Sequence, residues 1–107
     1  MGNDKPKSIL EIGAGTSWVS KQLRSLLNPE NYVIVDPSFR EEIGKDDTAL
    51  EVINDYFPNK AIAERNFDLI LGFSFLEHVP NPLSCLRSIN DSLSDSGLCI
   101  LTFPDCE

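Results

Sequence analysis

The sequence predicts an α/β protein, a single parallel sheet with crossover helices, and three observations predict it. Apolar runs with strand character alternate with segments of helical periodicity. One run, Phe67 to Phe75, is apolar along nearly its whole length, as suits a central strand buried on both faces. The residues best equipped for chemistry fall just after strands, where open parallel sheets bind ligands. The chain has 107 residues, 41% hydrophobic and 24% charged, which suits one small globular domain and not two.

The elements follow in order. Ser8 to Ile12 is the first strand, ended by Gly13. Ser17 to Leu27 carries Val19, Leu23, Leu26 and Leu27 on one face and reads as a helix, stopped by Asn28-Pro29. Trp18 opens this helix and is expected in the helix–sheet core. Tyr32 to Val35 is a β-branched strand ending at Asp36-Pro37, and Ala49 to Ile53 is a weaker one. Phe67 to Phe75 is the fourth, with Asp68 at its mouth. Leu83, Leu86, Ile89 and Leu93 recur at helical spacing, with Asn81 as N-cap and Pro82 at the first helical position. Gly97 is expected to close that helix, and Leu98 to Phe103 to form the fifth strand. Five strands and three or four helices fill the chain. Phe39, Phe57, Phe67, Phe75 and Phe103 read as core or pocket walls.

Charge excludes several functions. The formal charge is −8, and beyond Arg65 the only basic residue is Arg87. Nucleic-acid backbones need a basic stripe, and none exists, so no nucleic-acid partner is expected. The run Arg40-Glu41-Glu42 reads as a solvated face. The apolar stretch Leu69 to Leu76 is too short to span a bilayer, so no membrane partner is expected. Cys85, Cys99 and Cys106 have no metal-ligand spacing and read as free thiols of a cytoplasmic protein, with core packing the default for Cys85 and Cys99. A metal site is not expected.

The strongest motif is Glu11-Ile12-Gly13-Ala14-Gly15-Thr16-Ser17, between the first strand and the first helix. Glycine lets the chain turn tightly and a ligand approach the backbone. A dinucleotide fingerprint would want glycine where Trp18 stands. Glu11 places a carboxylate beside the loop, which disfavours phosphates and suits a ligand with a cationic end. Asp36 follows the second strand, 21 residues after Gly15. A carboxylate there accepts hydrogen bonds from ribose hydroxyls. Alone, an Asp before Pro is more often a turn former.

These motifs together resemble the class I S-adenosylmethionine-dependent methyltransferases, in their small-molecule branch. "ILEIGAGTS" is similar to the family's first motif and "VIVDP" to its second strand with the ribose-binding acid. "FDLILGFSFLEHVPNP" resembles the fourth-strand motif, and "LSDSGLCILTFPD" the fifth, with Ser94 to Gly97 in place of the usual Pro-Gly-Gly turn. The resemblance runs from about Lys7 to Asp105. It implies a Rossmann-like, doubly wound parallel sheet of five strands in the order 3-2-1-4-5, with S-adenosyl-L-methionine as cofactor. The family's N-terminal helices and final antiparallel strand pair are missing, so the sequence reads as a truncated core whose fifth strand exposes an edge for self-association.

The resemblance also implies roles. Glu11, Gly13, Ala14 and Gly15 would line the methionine half of the cofactor. Asp36 would hold the ribose, with Pro37 and Ser38 beside the adenine. Asp55 and Tyr56 fall where the family often contacts the adenine amino group, although Asp55 reads equally as a loop acid. Phe73 and Ser74 would lie next to the reacting methyl group. The implied reaction is in-line methyl transfer to oxygen or carbon of a small-molecule acceptor, a sugar or other metabolite, with proximity as the protein's main contribution. His78, the only histidine, is the candidate base, although a lone histidine at a turn is more often structural. Glu77 would orient the substrate or His78, or cap a turn. Two rivals stand beside this reading. One is a nicotinamide-dependent oxidoreductase, against which Trp18 and Glu11 argue and for which only Tyr56 and Lys60 match a Tyr-x-x-x-Lys pair. The other is a non-catalytic binding module.

Overall fold

A computed structural model describes residues 5–13, 17–39, 49–73 and 75–102, with the side chains of Ser17 and Glu77 left out. Five strands form one parallel sheet: β1 (Ser8–Ile12), β2 (Asn31–Val35), β3 (Leu50–Ile53), β4 (Phe67–Phe73) and β5 (Leu93–Thr102). Their order is β3-β2-β1-β4-β5, the order that the family resemblance implied. Two α-helices lie among the described residues, α1 (Ser17–Leu27) and α2 (Pro82–Ser92). Short 3-10 turns span Lys60–Ile62 and Leu76–His78.

The sheet is buried on both faces at its centre because β1, β2 and β4 alternate apolar side chains above and below. Ile9, Tyr32, Ile34, Leu69 and Leu71 form one core layer, against which Leu23 and Leu27 of α1 pack. Leu10, Ile12, Val33, Val35 and Ile70 form the other, against Cys85 and Ile89 of α2. Phe39, Phe57 and Phe67 are buried in these layers. Phe103 and Cys106 lie outside the described residues, as do Arg40 to Glu42. Neither Cys85 nor Cys99 is in a disulfide, and burial raises the pKa of both thiols.

The caps follow local chemistry. Asn28 takes a left-handed conformation (φ 47°), and its N–H donates to the Arg24 carbonyl at 2.8 Å, closing α1 before Pro29. Asn81 caps α2 by accepting from the Ser84 N–H at 3.1 Å, with Pro82 following it.

Several boundaries and faces differ from expectation. α2 ends at Ser92, and Gly97 lies inside β5 and not at a helix end. Two facts account for this. Leu93 pairs with Phe67, so the ladder captures the chain at once, and the register slips between the Phe67–Leu93 and Leu69–Leu98 pairs. The Asn66 side chain also donates to the carbonyls of Asp91 and Leu93, at 3.3 and 3.4 Å, and so replaces a glycine cap. β4 stops at Phe73, before Phe75. Trp18 is 67% exposed and Leu26 69% exposed, outside the core. The buried stripe of α1 runs through Ser20, and Trp18 points about 200° around the helix from it. On α2 the buried residues are Cys85, Ile89 and Ser92, whereas Leu83 and Leu86 are exposed.

Candidate functional site

The register of the sheet lines up the strand ends. Ile53 pairs with Val35, Val35 with Ile12, Ile12 with Gly72 and Gly72 with Leu101. The next residues on each strand path, Asn54, Asp36, Gly13, Phe73 and Thr102, therefore stand side by side along the carboxyl edge. The strand order reverses between β1 and β4. Ligands of open α/β sheets bind outside such a point. Gly13 and Phe73 flank it, and Asp36 is one strand away.

Gly13 has φ +68°, the left-handed region that side chains disfavour. Its N–H donates to the Val35 carbonyl at 3.0 Å, so the turn stays tied to β2. Phe75 packs over the same turn: a Cβ on Gly13 would lie 2.9 Å from the Phe75 Cβ. Its ring also covers Gly72, where an added Cβ would lie 2.7 Å from Cδ1. Phe75 is thus a wall of the switch point. Ala14, Gly15 and Ser74 lie outside the described residues.

Glu11 is completely buried. Its Oε1 accepts from the Ser20 Oγ of α1 at 2.9 Å and from the Tyr32 hydroxyl of β2. Among the described residues, its Oε2 is buried with no hydrogen-bond partner. Such an atom costs about 1–3 kcal/mol. Burial raises the Glu11 pKa above its ordinary value, donation from Tyr32 and Ser20 and the nearby Arg24 charge oppose this, and Asp36 adds to it. The Tyr32 hydroxyl is pushed far up, first by burial and then by the Glu11 charge.

Asp36 is half-buried and accepts from the Ser38 N–H through Oδ1 at 2.8 Å, forming an Asx turn. Pro37 sits within this turn, half-buried. The Asn54 side chain donates to the carbonyls of Asp36 and Phe39 at 3.2 and 3.0 Å and ties the turn to β3. Sequence reading missed Asn54. The rule that singled out Gly13 and Asp36, first residue after a strand, would have found it. It also missed Tyr32 and Ser20 as partners of Glu11, although alternation along β1 and β2 puts Glu11 and Tyr32 on one face.

The remaining predicted residues are more peripheral. Asp55 and Tyr56 are exposed beyond β3, and Asp55 Oδ1 accepts from the Tyr56 N–H at 2.8 Å. His78 is exposed at the end of the Leu76–His78 turn, and its N–H donates to the Phe75 carbonyl at 3.0 Å. A separate cleft of about 330 Å³ lies between the Phe57–Ala63 segment and the C-terminal half of α2, lined by Lys60, Ile62, Ser88 and Asp91 among others. None of the predicted site residues lines it.

Among the described residues, no group of three or more His, Cys, Asp or Glu is placed to hold a metal ion. No helix among them is long and apolar enough to cross a membrane.

A glycine turn at the switch point, an acid after β2 and a buried carboxyl oxygen in want of a donor form a coherent set. No curated protein matches the sequence. The family described as "Methyltransferase domain" matches it over residues 1–107. With sheet order and family match in agreement, the chain belongs to that family and forms a class I S-adenosylmethionine-dependent methyltransferase-like domain.

Proposed function

We propose that this chain binds S-adenosylmethionine at the carboxyl edge of the sheet and serves methyl transfer to oxygen or carbon of a small-molecule acceptor, a sugar or other metabolite, in the cytoplasm. One observation carries the cofactor reading: the buried, unpartnered Oε2 of Glu11, two residues before Gly13. A cationic amino group supplies the missing donors, whereas a phosphate would face this carboxylate and Asp36 together. The residues present therefore fit the cofactor.

In this reading Glu11 and the Gly13 turn hold the methionine half, and Asp36 accepts from the ribose hydroxyls. Pro37, Asp55 and Tyr56 border the adenine. Phe73 and Phe75 wall the crevice between β1 and β4 and exclude water from it. The cofactor supplies an electrophilic methyl group. The protein supplies proximity and orientation. His78 takes the acceptor's proton where the acceptor needs a base. The exposed edge of β5 is the surface through which copies associate.

The test is calorimetric titration with S-adenosylhomocysteine beside NAD, for wild type and Asp36→Ala. The expected result is binding of the homocysteine compound, weakened at least about tenfold in the variant, as loss of hydrogen bonds to a charged group predicts. Binding of NAD instead would overturn the reading.

A further inference from the structure

The geometry points to Tyr32 and Ser20 as positioning residues: both hold Glu11 by Oε1, and so reserve Oε2 for the amino group of the bound cofactor. The inference rests on the cofactor reading above. It starts from an asymmetry in one carboxyl group. The two donors to it among the described residues, the Tyr32 hydroxyl and the Ser20 Oγ, go to the same oxygen. They come from different elements, β2 and α1, and both residues are fully buried. A planar carboxyl fixed at one oxygen by two anchored donors has the direction of its other oxygen fixed too. That other oxygen has no partner among the described residues. Protonation does not repair this, because a hydroxyl at Oε2 would lack an acceptor as the anion lacks a donor. Buried groups left so are uncommon and call for an explanation. An arriving ammonium group provides one, since it brings three donors and the complementary charge.

Neighbouring charges act on Glu11 in opposite directions. Arg24 of α1 favours the ionised Glu11, and its Nε is turned to the Ser20 carbonyl at 3.3 Å. Asp36 after β2 disfavours it. On this face β4 contributes Leu69 and Leu71, which carry no charge. Hydroxyl donation from Tyr32 and Ser20 lowers the Glu11 pKa against its burial. Removing either hydroxyl should therefore delay ionisation to higher pH.

The experiment titrates wild type, Tyr32→Phe and Ser20→Ala with S-adenosylhomocysteine and with 5′-methylthioadenosine. The second ligand keeps the adenosine and the sulfur and lacks the amino acid. Circular dichroism melts of each variant establish folding, and either variant serves where loss of the other hydroxyl unfolds the chain. In each variant S-adenosylhomocysteine is expected to bind about tenfold more weakly, and 5′-methylthioadenosine within about twofold of wild type. The ratio of the two affinities should also rise with pH, with its midpoint displaced upward in the variants. Equal weakening of both ligands, or none of either, would overturn the proposal and leave Tyr32 and Ser20 to the fold alone. Wild type that binds neither ligand would instead overturn the cofactor reading, and that result is distinct from the others.

Discussion

At the scale of single residues, Glu11 opposes stability to function. Its raised pKa means that the folded protein holds the proton more tightly than the unfolded chain does. Its contribution to folding is therefore full below its ordinary value of 4.5 and is lost as pH rises through the folded value. Glu11→Gln should gain thermal stability relative to wild type as pH rises from about 4 to about 8, while losing affinity for S-adenosylhomocysteine. Melting curves across that range check the first part, and a variant that is less stable at every pH would contradict it. Gly13→Ala should cost about 1–2 kcal/mol from the left-handed backbone alone, with further loss from contact with Phe75, measured by urea titration. Gly72→Ala should cost about 1–3 kcal/mol, because the new Cβ meets the Phe75 ring and Leu101 Cδ2. Phe75→Leu should recover part of that loss, and a double-mutant cycle reads the coupling.

At the scale of elements, Asp68 pins three strands at the edge of the sheet opposite the site. Its Oδ2 accepts from the N–H groups of Lys7 and Ser8 at 3.0 and 3.2 Å, and its Oδ1 from Ser94 Oγ at 3.0 Å. The first residues of β1 and β5 are thus tied to β4 by one side chain. Asp68→Ala should lower stability by about 2 kcal/mol, and Asp68→Asn by less, since one oxygen still accepts. The urea midpoint reads this, with an unchanged slope, because no element is expected to unfold separately. The helices show how far local pattern reaches. Asn28-Pro29 and Asn81-Pro82 marked the end of α1 and the start of α2 correctly, since caps are short-range hydrogen-bond chemistry. The end of α2 was not legible, because the pairing of Leu93 with Phe67 and the Asn66 side chain set it from outside the helix.

For the whole molecule, the sheet order brings Gly13, Asp36, Asn54 and Phe73 onto one edge from four separate strand ends. It also places β3 and β5 at the margins of the sheet. Leu98 and Ile100 stand exposed on β5, on the face they share with Leu69 and Leu71. Among the described residues no strand pairs with the outer edge of β5, and such an edge beside exposed apolar side chains favours pairing between chains. Leu98→Lys with Ile100→Lys should leave the unfolding free energy from urea titration within about 0.5 kcal/mol of wild type, as exposed positions usually do. The same pair should reduce the concentration dependence of the sedimentation coefficient. A wild type that sediments identically at every concentration would remove the ground for association through this edge.

The sequence by itself determined the presence of five strands and of α1 and α2, the end of α1, the N-cap of α2 and the positions of Gly13 and Asp36. Each of these depends on neighbours within a few residues: period-two or period-3.6 patterning, a side chain bonding a nearby amide, a turn that needs glycine. The tertiary structure decided which of several helical stripes was buried. Ile89 belongs equally to a stripe with Leu86 and to one with Cys85 and Ser92, and the sheet took the second. It decided that Trp18 faces outward, since the core had room for Ser20 and its hydrogen bond to Glu11. It decided, above all, the state of Glu11. The glycine motif located that carboxyl group, but its partners come from β2 and α1, and only the packing of those elements onto β1 leaves one oxygen bonded twice and the other with no partner among the described residues.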